Sequence, residues 1–124
     1  MPTTNLLTTL AVSGLLVLAG SRCASAQDPA VVNAKTVQVK MENERVRVLE
    51  AILQPGEKEQ LHSHPAYVTY VIAGGTVRNH IAGGTTVEAV LKTGDVLYRD
   101  AVVHWAENIG TTPIQLILVE LKSP

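Results

Sequence analysis

The sequence predicts an all-β fold, an antiparallel sandwich, jelly roll or barrel, on three observations. Past Gln27 the chain falls into short runs rich in Val, Ile, Leu and Thr that alternate in places with polar residues, the period-2 pattern of strands with one buried face. Turn-forming residues bound these runs at Pro55-Gly56, Gly74-Gly75, Gly83-Gly84, Thr93-Gly94 and Asn108-Ile109-Gly110. No stretch past Gln27 makes a convincing helix.

Taken in chain order, residues 1–26 stand apart. Leu6 to Gly20 is an uncharged run of apolar and small residues, and Ala24-Ser25-Ala26 has the small-x-small form of a signal-peptidase site. A secretory signal peptide is therefore expected over 1–26, with a single domain over 27–124 that is exported to the periplasm or secreted. The run is short of the ~20 apolar residues that a membrane span needs, and Arg22 beside Cys23 makes a poor lipobox. No stable membrane anchor is expected after cleavage. The only cysteine leaves with the signal, so the mature domain has neither disulfide nor thiol chemistry. Strands are predicted over 35–42, 45–53, 67–73, 76–81, 86–91, 96–99, 102–107 and 114–121. With no Phe, one Trp and three Tyr, the core must be built from Val, Ile and Leu.

Removing Arg22 from the ten Lys and Arg leaves nine against eleven Asp and Glu, a formal charge of 9 − 11 = −2 for the mature chain. That balance provides no basic stripe for nucleic acid or anionic lipid. The chain shows no repeat, low-complexity linker or second domain.

The histidines carry the chemical signal. His62 and His64 are two apart, so on a strand both imidazoles project from one face and can reach one ion. His104 follows another turn-and-strand entry at Gly94-Asp95. One pair and one single histidine make a three-nitrogen cap with positions left open for water or substrate, as catalytic metal sites require. Tyr67 is a candidate donor to bound substrate, His80 matches no ligand position, and Gln60 lies one alternation before His62. Tyr98 and Trp105 are candidate pocket walls, with Arg99 or Arg78 at the mouth suited to a carboxylate.

In this pattern the chain resembles the cupin superfamily, whose first motif runs G-x5-H-x-H-x3-4-E-x6-G. Gly56, His62-Ser63-His64 and Gly74 stand in its places. The second motif, G-x5-P-x-G-x2-H-x3-N, is met by Gly94, His104 and Asn108, with Asp100 for its proline, Val102 for its glycine and His104 one residue early. The motif glutamate is absent: its place falls on Tyr67, Val68 or Thr69. MENERVRVLEAILQPGE, HSHPAYVTYVIAGG, GDVLYRDAVVHWAENIG and LILVELK are similar to a group of small bacterial cupins, some named after β-alanine degradation, a label that does not transfer.

The resemblance implies a single antiparallel jelly-roll barrel, a homodimer, and one divalent transition metal on His62, His64 and His104. Fe2+ leads the expectation, with Zn2+, Ni2+ and Mn2+ as alternatives. It further implies a dioxygenase-like oxidoreductase of the three-histidine kind acting on a small chelating or anionic molecule, with Tyr67 as a catalytic candidate. The alternative is a binding or sensing module without turnover.

Overall fold

Nine strands and one helical turn make up residues 27–124, the part of the chain described by a computed structural model. The expected signal peptide and its cleavage site lie outside the described residues. The turn α1 (Pro29–Val32) was not anticipated, although its start is written in Asp28-Pro29. Asp28 caps it through Ala30 N–H, and Pro29 sits in the first turn, where a missing N–H costs nothing. Arg47 grips the same Asp28 carboxylate at 2.8 and 3.0 Å.

The strands are β1 (Val37–Glu42), β2 (Val46–Leu53), β3 (His62–His64), β4 (Tyr67–Ala73), β5 (Gly75–Ile81), β6 (Thr85–Leu91), β7 (Val96–Arg99), β8 (Val102–Asn108) and β9 (Ile114–Leu121). Eight match the predicted runs within two residues. The ninth, β3, is three residues long, too short to show a period of its own. All pairings are antiparallel, in sheets ordered β1-β2-β9-β4-β7 and β3-β8-β5-β6. The fold is the predicted all-β antiparallel jelly-roll barrel.

Alternation decides what lies between the sheets. On β4 Tyr67, Thr69 and Val71 are buried, and on β8 His104, Ala106 and Asn108 are. Leu53, Val71, Val77, Leu91, Ala106 and Ile114 form one apolar cluster. Val37, Leu49, Tyr67 and Leu118 form a second. The histidines continue the same inward face, so one barrel interior carries both the apolar clusters and the three imidazoles.

Gly74 shows how tightly the strand ends are packed. A Cβ there would collide with the Leu91 carbonyl oxygen and stand 3.0 Å from Thr93 N, and both neighbours are backbone with no rotamer to yield. Gly74→Ala should therefore cost about 2–3 kcal/mol, in the range of overpacked interiors. Thermal unfolding would register this as a Tm lowered by ~10–20 °C; an unchanged Tm would refute the close approach.

Candidate metal centre

His62 and His64 enter the barrel from β3, and His104 enters from β8, opposite His62 in the sheet register. All three side chains are buried. Their ligand nitrogens lie within 4.8 Å of one another, and the rings meet edge to face with centroids 4.8–5.4 Å apart.

The far side of each β3 ring is tied down, and this fixes which nitrogen faces the centre. His64 Nδ1–H donates to Glu120 Oε1 at 2.6 Å. Glu120 is itself buried on β9, with Arg47 3.8 Å away. His62 Nδ1–H donates to the Gln60 carbonyl at 2.7 Å, and Asn33 braces that carbonyl from Nδ2 at 3.2 Å while its Oδ1 accepts Gln60 N–H at 2.7 Å. With both Nδ1 protons committed, the two Nε2 atoms present lone pairs to each other at 3.0 Å.

Facing lone pairs repel unless a cation lies between them. Two nitrogens bound to one ion at 2.0–2.1 Å stand ~3.0–3.4 Å apart, so the observed spacing is that of two ligands. Among the described residues His104 Nε2 is buried without a hydrogen-bond partner, a state that polar atoms in native interiors rarely keep. The donor set therefore fits a divalent transition metal: three buried imidazoles, of which the β3 pair have their outer nitrogens held as ligating histidines require. Burial, reinforced by the charges of His62 and His64, depresses His104 to about 3. Burial also lowers His62. Both are thus neutral and ready to ligate at ordinary pH.

The expected wall residues sort by strand parity. Tyr67 is buried and its ring lies 4.8 Å from that of His64. Burial pushes its hydroxyl up to about 12. Leu97 and Arg99 face the cavity, whereas Tyr98 between them is 60% exposed, so it is no pocket wall. Trp105 likewise points outward, stacked on His80 at 3.6 Å. Arg78 pairs with Glu88 and Glu107 and takes no part in the mouth. Tyr67 and Thr69, two of the places counted for the motif glutamate, both line the cavity, and neither brings a carboxylate.

Sequence reasoning missed a carboxylate on the other flank. Glu59 Oε2 lies 3.8 Å from His62 Nε2 and accepts a hydrogen bond from Ala106 N–H at 3.0 Å. Desolvation raises its carboxyl to about 7, against the lowering effect of that hydrogen bond. The cause of the miss is a β-bulge. Lys58 bridges Glu107 and Glu59 N–H donates to Ala106 O, yet His62 pairs with His104. Three steps along one strand thus match two along the other. The extra residue reverses the alternation, turning Glu59 inward where simple alternation selects Gln60.

The histidines line a cavity of about 80 Å³. An adjacent cavity of about 300 Å³ shares Tyr67, Asn79, Arg99 and His104 with it.

A family model described as a cupin domain matches residues 49–120. Among solved structures, a cupin domain from Bordetella pertussis is 28% identical with a TM-score of 0.64, covering 70% of this chain and 92% of its own. An uncharacterized conserved protein with a double-stranded β-helix domain from Klebsiella pneumoniae is 26% identical with a TM-score of 0.53, over 68% of this chain and 73% of its own. The comparison with curated proteins gives no match. The family model spans more than half of the sequence and ends on the strand that carries Glu120, with all three histidines inside it, and on that basis this chain belongs to the Cupin_2 family of cupin domains.

Proposed function

We propose that this cupin is an exported, metal-dependent oxidoreductase of the dioxygenase type, acting on a small anionic or chelating organic molecule. The convergence of three buried histidines, with the Nε2 of His104 left without a hydrogen-bond partner among the described residues, is the observation that carries the reading. A bound divalent ion would supply Lewis acidity and open positions for a chelating substrate and, as iron, for O2.

The chain's own residues would do the rest. Glu120 and the Gln60 carbonyl hold the His64 and His62 imidazoles in the ligating tautomer, and the apolar barrel interior excludes water. Arg99, on the cavity wall, has no ion-pair partner within 4.0 Å among the described residues, which leaves its guanidinium free for a substrate carboxylate. The combined cavities suit a molecule of modest size. A module that binds without turnover is the second reading. Its support is Tyr67, whose hydroxyl at about 12 is a poor proton carrier near neutral pH.

Elemental analysis of protein purified from a bacterial periplasm, followed by oxygen uptake over a panel of small thiols, diketones and hydroxy acids, tests the proposal. About one iron per chain and uptake with one substrate class are expected. In the active pairing, Arg99→Gln should raise KM for anionic substrates at least ~10-fold while kcat stays close to wild type. Protein without metal would overturn the assignment, and loaded protein inert toward the whole panel would favour the binding module. In the same preparation, mass spectrometry should find Gln27 as the first residue; an intact Met1 would refute export by cleavage.

A further inference from the structure

We infer that Glu59 supplies a carboxylate ligand to the metal centre, from three residues before the histidine pair rather than from the motif position after it. This rests on reading the three histidines as a metal site. Four observations support it. Glu59 Oε2 stands 3.8 Å from His62 Nε2, ~0.5 Å beyond the spacing of two ligands on one ion; it lies outside the group of ligand atoms within 4.8 Å of one another, so coordination requires the side chain to turn toward the ion. The side chain is 10% exposed and lines the same cavity as the histidines. Among the described residues no Lys or Arg nitrogen lies within 4.0 Å of its carboxylate, and its one side-chain hydrogen bond comes from Ala106 N–H. A carboxylate left without a cation in such a place is costly, and an ion on the histidines would provide the missing positive charge.

The remaining observation is the bulge. It is the device that lets Glu59, His62 and His64 all face inward although their spacings are odd and even. Strand irregularities of this kind recur beside functional sites because they re-aim a side chain. Glu120, the other acidic group near the histidines, cannot serve in its place: it is engaged with His64 Nδ1, on the far side of the ring from Nε2. The resulting set of three imidazoles and one carboxylate lowers the ion's effective charge and fixes a fourth position, so a chelating substrate would meet two open sites of an octahedron.

The test uses the full chain, stripped by a chelator and titrated with Co2+, with binding followed by calorimetry and by the visible ligand-field bands. Glu59→Gln keeps the size and removes the charge. Wild-type protein should bind one Co2+, and E59Q should bind the same stoichiometry with Kd raised at least ~10-fold and with shifted bands. A purely structural role could lower Tm but would leave the bands of the folded, loaded variant unchanged. A Kd within twofold of wild type with identical bands would overturn the inference. A wild-type protein that takes up no Co2+ would instead overturn the metal reading beneath it. Should E59Q fail to fold by circular dichroism, Glu59→Asp, which retracts the carboxylate by one methylene, is titrated in its place and judged by the same two criteria.

Discussion

The double variant His62→Ala/His64→Ala should bind a divalent ion at least ~10⁴-fold more weakly than the wild type while keeping the barrel folded. Structural zinc sites with four ligands contribute ~10–16 kcal/mol, roughly 3 kcal/mol per ligand, so losing two costs about 6 kcal/mol of binding. His104 would be the only histidine nitrogen left at the centre. The barrel should survive, because β3 is three residues long at a sheet edge and contributes no residue to either apolar cluster. Removing two opposed lone pairs also relieves a repulsion that the metal-free state would carry. Metal analysis after dialysis against micromolar metal, with far-ultraviolet circular dichroism on the same sample, provides the check. Metal retained at wild-type stoichiometry would sink the site assignment.

The largest effect on stability is expected away from the histidine centre, at Asn108. Its side chain is fully buried. Nδ2 donates to the carbonyls of Leu53 and Thr112, both at 2.8 Å, and Oδ1 accepts from Gly110 N–H at 3.0 Å. One amide thereby clamps the end of β2 to the loop between β8 and β9. Asn108→Ala strands two carbonyls and one N–H in or near the interior, each costing ~1–3 kcal/mol, together about 4 kcal/mol. For a domain of this size that is a Tm lowered by ~15–30 °C. A shift under ~5 °C by calorimetry would show that water or a rearranged loop satisfies those groups. The asparagine that ends the second motif thus acts as a splint on this barrel, several residues from the His104 it accompanies.

The strands were legible wherever a run reached four residues, since the strand-forming residues and their bounding turns then repeat often enough to be seen. Tyr67, Thr69 and Val71 against the half-exposed Tyr70 form such a run. The three histidines were legible for a related reason: a two-residue spacing is the strand period itself. The outer support of those histidines was not. Glu120 looks like any polar residue on a terminal strand, and Asn33 like any loop asparagine, because each meets its histidine only through the closed topology. Glu59 was hidden more actively, by a bulge that inverts parity between two segments of correct alternation. Around Tyr98 the sequence left the parity open, and the pairing of β7 with β4 settled it, with Tyr67 opposite Arg99.

The distribution of supporting groups along the chain also bears on when the centre can be completed during biosynthesis. The Gln60 carbonyl that accepts from His62 is braced by Asn33, from the start of the domain, and the anchor of His64 comes from Glu120, 56 residues later, on the final strand. The outer ring of hydrogen bonds is thus closed by the first and last parts of the described domain. A nascent chain that had already exposed all three histidines would still lack the carboxylate that sets the His64 tautomer, and would hold an ion loosely if at all. Tight capture of an ion at this centre would therefore require β9 to be docked between β2 and β4, so that a loaded site would report a finished barrel.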